Sequence, residues 1–334
     1  MNKMTKLGVS ALCGSLAAVS GAHAGDLTVS GGVDMTWVSM PKTHTGNPIG
    51  IGSNFTLSGD GEMDNGWTVD LNIVAKNRLA YSTTNVTVTV PGLGDLRLGQ
   101  GGSGTGIDRM DDVTPNVWEE AYATGLSNGI QTVNGASTGT GIEWTPDMMP
   151  DGMTARVFWT PDAYGSANND GAGAGHASNA GSNGYDVTLV LSDAVTGMAG
   201  LEIGGGYAQV DTHAAEGDIE DTTLYATYAV GGFTLGYQWS EADLGTTTGA
   251  QQYDNTGYGI TFAINDDLSI GYNHYESEQT NTTNVTNEAS SMQIAYSAGG
   301  LSIRLAEGTS DNEDYNTGTA YDRDNTILSV ALAF

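Results

Sequence analysis

The chain has 334 residues, and 39 acidic against 10 basic side chains give it a formal charge of −29. So acidic a protein repels phosphate backbones, which excludes nucleic acid as a partner. Its 49 glycines and 15 tyrosines, with many threonines and valines and few leucines, lysines or glutamates, favour strands over helices. The tyrosines and a regular apolar alternation also argue against a disordered acidic chain.

Residues 1–24 carry Lys3 and Lys6, an apolar stretch from Leu7 to Val19, and Ala22-His23-Ala24 before Gly25. That is the pattern of a cleaved secretory leader, so the mature chain is expected to begin at Gly25 and to form one domain over 25–334. Leu12 precedes Cys13 where a lipoprotein signal wants a small residue, which favours ordinary cleavage. Losing Lys3 and Lys6 takes the charge from −29 to −31 and leaves no cysteine. A secreted chain without disulfides must rely on extensive hydrogen bonding or a closed architecture. No mature segment reaches the roughly 18 consecutive apolar residues of a membrane-spanning helix.

Period-two alternation begins at Leu27, Val29, Val33, Met35 and Trp37 and returns at Phe55 and Leu57, at Trp67 to Ile73, at Val86 to Val90, and at Leu96 and Leu98. It continues through Tyr185–Leu191, Leu201–Tyr207, Leu224–Val230, Phe233–Trp239, Tyr258–Ile264, Leu268–Tyr272, Met292–Tyr296 and Leu301–Leu305. Such alternation predicts strands with one apolar and one polar face. No segment reads as an amphipathic helix. Short turns are expected at 63–66, 91–95, 146–152, 192–200, 230–232, 265–267 and 297–300. Longer connections are expected at 38–52, 74–83, 101–137, 161–184, 211–221, 241–254, 277–288 and 308–321. Seven turns and eight loops join sixteen strands. An even strand number with short turns at one end and long loops at the other predicts an all-β, 16-stranded antiparallel transmembrane β-barrel.

The last segment fits this reading. Thr326, Leu328, Val330, Leu332 and Phe334 share one parity, and a barrel loses its free edge only if its last strand pairs with its first. Phe334 is expected at the periplasmic rim. Lys76, Arg78, Arg97, Arg156, Arg304 and Arg323 fall on the polar parity, as do Asp34, Asp70, Glu143, Asp186 and Glu202. With the apolar face on lipid, all of them would line the lumen. That sorting is expected because Arg or Lys at the lipid midplane costs roughly 2–4 kcal/mol. A soluble β-sandwich, which buries its apolar face, would show the same alternation.

With its leader, acidic glycine-rich strands and terminal Phe334, the chain resembles the general diffusion porins of Gram-negative outer membranes. The most specific local match is Gly94 to Gln100, "GDLRLGQ", which looks like that family's fifth strand leading into its third loop. The family often has Arg where this chain has Gln100. The resemblance implies a third loop folded into the lumen, a homotrimer, contact with outer-membrane lipid and lipopolysaccharide, and assembly machinery that reads the terminal aromatic Phe334. Outward small residues such as Ala226 and Gly205 permit close contact between barrels. Here the third connection, 101–137, is the longest. It carries Asp108, Asp111, Asp112, Glu119 and Glu120 with Arg109 as the one counter-charge. Those carboxylates are expected to form a constriction opposite Arg97, Arg78 and Arg156, with a transverse field that excludes apolar solutes.

Other motifs carry less. Gly99 to Gly104, "GQGGSG", matches a dinucleotide fingerprint, but no periodic helix succeeds it, Pro115 interrupts the region and no βαβ pattern exists. No G-x-S-x-G elbow and no paired metal-ligand spacing appears around His44, His176, His213 or His274, so no catalysis, cofactor or metal centre is assigned. The acidic stretches 216–221 and 310–316 read as solvated loops and leave weak divalent-cation binding open. Residues 170–181 read as a low-complexity outer loop. The expected function is passive diffusion of small hydrophilic solutes and ions with cation preference. The alternatives are a substrate-specific porin, which would carry an aromatic ladder along its lumen, and a secreted, acidic, soluble β-protein acting as an adhesin or surface-layer component.

Overall fold

The computed structural model describes residues 23–39, 46–100, 104–125, 127–136, 140–163, 183–211, 217–246, 249–281 and 284–334. The expected leader, apart from His23 and Ala24, lies outside the described residues, as do the 170–181 loop, His44, His176 and His213. Sixteen strands follow one another: β1 (His23–Val38), β2 (Ile49–Glu62), β3 (Thr68–Lys76), β4 (Ala80–Val90), β5 (Gly94–Gln100), β6 (Gly141–Thr145), β7 (Met153–Thr160) and β8 (Gly184–Leu191). The second half holds β9 (Leu201–Val210), β10 (Ile219–Val230), β11 (Phe233–Asp243), β12 (Gln252–Ala263), β13 (Leu268–Thr280), β14 (Val285–Ala298), β15 (Leu301–Asp311) and β16 (Arg323–Ala333).

Each strand pairs antiparallel with its sequence neighbours, and β1 pairs with β16 from Gly32 opposite Ala333 to Val38 opposite Ile327. The sheet is therefore a closed barrel with no free edge. Regular β1 pairing to β2 runs from Leu27 onward, within the expected mature chain. Among the described residues the only helical pieces are one α-turn, Asp193–Thr196, and 3₁₀ turns at Gly106–Met110 and Glu313–Tyr315. Among the described residues no helix is long and apolar enough to cross a membrane.

The two faces are sorted inside out. Leu98, Leu224 and Tyr237 are 51%, 57% and 53% exposed, whereas Thr223, Asn273, Asn287 and Ser329 are fully buried. Left in water, each fully exposed large apolar side chain would forgo about 1.5–3 kcal/mol. A soluble sandwich would have the opposite arrangement, so the exposed belt requires an apolar surround. All seven short turns fall where expected, in connections 63–67, 91–93, 146–152, 192–200, 231–232, 264–267 and 299–300.

The strands reach further into the outer loops than the apolar pattern indicates. The 74–83 loop shrinks to 77–79, and 277–288 shrinks to 281–284. In β13 the pairs Glu276 with Thr256 and Glu278 with Asp254 extend the ladder through polar residues. Apolar alternation marks only the lipid-contacting band of about 25 Å, and hydrogen-bonded strand continues above it. Arg78 is accordingly not a wall residue. It lies in the 77–79 connection with a left-handed φ of 62°.

Candidate functional site

Connection 101–140 between β5 and β6 is bound at both ends by carboxylates from the polar face of the sheet. The Gly106 N–H donates to Glu143 Oε2 at 2.7 Å and the Ile107 N–H to Asp186 Oδ2 at 3.1 Å. On the returning limb the Ala136 N–H donates to the other Asp186 oxygen at 2.9 Å. Asn134 and Gly135 donate to Asp221 Oδ2 at 2.9 and 2.6 Å. Each of these bonds gives a carboxylate oxygen to a backbone donor that the buried connection would otherwise leave unpaired. Gly106 has φ +56°, and a Cβ there would collide with Asp186 Oδ2, so both the turn and the close approach require glycine.

Between these ends the connection runs across the sheet from β10 to β14. Gln238 of β11 donates to the Met110 carbonyl at 2.5 Å. Pro115 packs so close to β12 that a Cβ on Gly259 would collide with its carbonyl oxygen. The Trp118 and Glu119 amides donate to Gln293 Oε1 of β14, while Asn273 Nδ2 of β13 donates to the Glu119 carbonyl. Asn128 and Asn287 exchange two bonds, of 3.0 and 2.8 Å. Small apolar clusters fill the gaps: Ile107, Val133 and Ala208; Ala136, Phe158, Ala163 and Val210; and Ala121, Ile130, Tyr275 and Ala289. Every wall residue in these contacts lies on the parity opposite the exposed apolar row.

Arg109, the one counter-charge among the acids of the connection, is itself paired with the wall. Its Nη2 lies 2.5 Å from Glu143 Oε1, and Glu143 is the cross-strand partner of Arg97, which donates to the Gly104 carbonyl at 3.4 Å. Glu143 thus stands between an Arg of the connection and an Arg of the wall. Arg156 lies on β7, two residues before Phe158 and on the same face. Arg304 bonds Asp34 and Ser329, both at 2.7 Å, with its guanidinium 5.1 Å above the Trp118 ring, a cation–π distance. Arg323 pairs with Glu313 in a nearly buried ion pair. Beside Trp118, a cavity of about 1010 Å³ is lined by Asp34, Asn54, Lys76, Glu119, Ser302 and Arg304.

The acids of the connection do not behave alike. Burial, with Asp112 and Asp108 alongside, pushes Asp111 up to about 8. Burial and the hydrogen bond with Glu119 push Glu120 up to about 9. Asp108 is raised by burial and by Asp112. Counting five negative charges from the sequence therefore overstates the charge of the connection near neutral pH.

Asp221, which the sequence groups with a solvated acidic loop, is a buried strand residue that holds the connection. Its signal is present in the sequence, because Asp221, Thr223 and Tyr225 continue the polar parity of Leu224–Val230 backwards. In the other acidic stretch, Glu313 is engaged by Arg323.

A family model for Gram-negative porins matches residues 9–297. Sequence comparison with curated proteins finds no match. Solved structures with the same fold include OmpT, an outer membrane protein of Vibrio cholerae, at 11% identity and TM-score 0.65, covering 92% of this chain and 97% of that one. OmpF of Salmonella typhi, in complex with daunomycin, aligns at 11% identity and TM-score 0.64 over 92% and 97%. An anion-selective porin from Comamonas acidovorans aligns at 14% identity and TM-score 0.62 over 92% and 99%. A closed sixteen-strand barrel with an exposed apolar belt, together with a family match over most of its length, makes this an outer-membrane channel protein rather than an enzyme, and the chain belongs to the Gram-negative porin family.

Proposed function

We propose that the polar face lines a water-filled lumen, that residues 101–137 fold into it as the constriction, and that small hydrophilic solutes and ions pass passively with cation preference. The observation that carries this reading is the set of backbone amides at 106–107 and 134–136 bound to Glu143, Asp186 and Asp221 on the face opposite the lipid belt. Cation preference follows from the charge balance. Arg109, Arg304 and Arg323 each pair with a carboxylate, in a chain with 39 acidic residues. The Comamonas acidovorans protein of the same fold is anion-selective, so the sign belongs to the lining charges and not to the barrel. A general rather than substrate-specific channel is supported by the Asn, Ser and Thr that dominate the buried polar face. The family resemblance adds a homotrimer, and crosslinking in mild detergent that gives only monomer would refute it.

The test is reconstitution into a planar bilayer with a salt gradient. Stepwise conductance with a cation-signed reversal potential is expected. A zero or anion-signed potential overturns the preference, and a folded barrel without conductance overturns the open lumen.

A further inference from the structure

Residues 128–131 of the third connection, here called its tip, are gripped by a second outer connection, 312–322, which joins β15 to β16. The Asp314 N–H donates to the Asn128 carbonyl at 2.9 Å. The Gln131 N–H donates to the Tyr315 hydroxyl at 3.2 Å, and that hydroxyl lies 2.7 Å from Ser277 Oγ of β13. The Tyr315 ring packs on Tyr253 of β12 with centroids 5.1 Å apart. Asp314 Oδ1 occupies the place a side chain at Gly129 would take, so the two connections meet at van der Waals contact. Asn287 holds Asn128 from the wall. The tip is therefore fixed between a strand and another loop.

The gripping segment adopts an unfavourable backbone to do this. Asn312, Asp314 and Tyr315 have φ of 57°, 52° and 57°. A left-handed φ is tolerated by Asn and Asp but is an outlier for a bulky aromatic residue. Several bonds compensate. Asn312 Nδ2 donates to the Thr286 carbonyl at 2.8 Å, the Glu313 N–H to the Tyr321 carbonyl at 3.0 Å, and Glu313 pairs with Arg323 at the head of β16. Strain held by such a set of bonds, and directed at one short segment of another loop, indicates a positioning role.

We propose that connection 312–322 is a clamp on the third connection, with Tyr315 and Asp314 as positioning residues that hold Asn128–Gln131 and so set the aperture of the channel. The part of this that concerns aperture rests on the constriction proposed above. The clamp acts without touching solute: releasing it frees the tip while leaving the anchors at Glu143, Asp186 and Asp221 intact.

The test compares wild type, Tyr315→Ala, Tyr315→Phe and the control Tyr321→Ala as full-length folded barrels. It reads amide exchange across 127–131 and single-channel current in the same preparations. Tyr315→Ala is expected to speed exchange at Gly129–Gln131 at least tenfold and to raise open-channel noise. Tyr315→Phe keeps the ring on Tyr253 and is expected to restore quiet current while still speeding exchange at Gln131, whose acceptor it lacks. Tyr321→Ala is expected to match wild type. Unchanged exchange across 127–131 in a folded Tyr315→Ala barrel overturns the clamp. Should that variant fail to fold, unchanged exchange at Gln131 in Tyr315→Phe overturns it instead. Faster exchange with wild-type noise and conductance leaves the clamp standing and removes the third connection as the constriction.

Discussion

At the scale of single residues, the channel's charge depends on pH within an accessible range. Asp111 and Glu120 hold protons near neutrality because burial and neighbouring acids lift them to about 8 and about 9. Their folded values lie above ordinary carboxyl values near 4. The folded connection therefore binds protons that an undocked one would release, and its docking is most favourable at low pH. That advantage is lost as pH climbs from about 4 towards the folded values. Cation preference should move the other way. As pH passes through 8 to 9 the two groups ionise, and a unit charge about 10 Å from an ion in water contributes about 0.4 kcal/mol, roughly a factor of two in local cation concentration. Wild-type reversal potentials should accordingly become more cation-signed between pH 7 and 10, and Asp111→Asn with Glu120→Gln should flatten that change. An equal pH response in the double variant would remove these two groups as its source. None of this was legible from five acids along one loop. Burial was the missing quantity, and it comes from strands more than a hundred residues away, such as β11 and β14.

At the scale of elements, alternation revealed fourteen of the sixteen strands, because lipid on one side and polar contacts on the other impose a period of two, and the spacing of turns and loops supplied β6 and β7. It could not reveal where strands end, because above the lipid band both faces are polar while the ladder continues. Nor could it show that Glu143, Asp186 and Asp221 are anchors. Parity put them on the polar face, but their partners lie 37 to 87 residues away in sequence. The last strand was the most legible of all. At closure the Phe334 N–H donates to the Gly31 carbonyl at 2.9 Å and the Gly31 N–H to Phe334 at 3.2 Å, while the Phe334 side chain stays 78% exposed. Backbone closure and side-chain display are thus separable. Deleting Phe334 removes both, whereas Phe334→Asp keeps the backbone bonds and removes only the apolar side chain. If assembly machinery reads the aromatic group, both variants should lower the folded outer-membrane yield by about tenfold or more, while a deletion within 170–181 leaves it near wild type. If closure alone matters, Phe334→Asp should assemble normally. Folded fraction by heat-modified mobility in isolated outer membranes separates the two.

At the scale of the whole molecule, total charge and local charge make different claims about selectivity. A formal charge of −29 should concentrate cations at the mouths in dilute salt, but the Debye length falls from about 8 Å at 0.15 M to about 3 Å at 1 M, which screens charges standing in open water. Charges at a constriction lie almost against the passing ion and are screened much less. Glu220, Glu278 and Asp324 lie near the outer ends of β10, β13 and β16, on the outward row with Leu224, Ile270 and Leu328, and make a mouth set at the outer rim that stays clear of the third connection. Asp221 must be left out of it, because it holds Asn134 and Gly135 and its loss would disturb the proposed constriction loop itself. Changing Asp108, Asp111, Asp112, Glu119 and Glu120 together to their amides should lower the cation-to-anion permeability ratio at 0.1 M and at 1 M salt. Because Asp111 and Glu120 are pushed up to about 8 and about 9, amides at these two alone should lower the ratio less at pH 7 than at pH 10. Amides at Glu220, Glu278 and Asp324 should act mainly at 0.1 M. Reversal potentials at the two ionic strengths decide the matter. If the quintuple variant keeps wild-type selectivity at 1 M salt while the mouth variant loses it at 0.1 M, the field that sorts ions sits at the rim, and the third connection is not where this porin chooses between them.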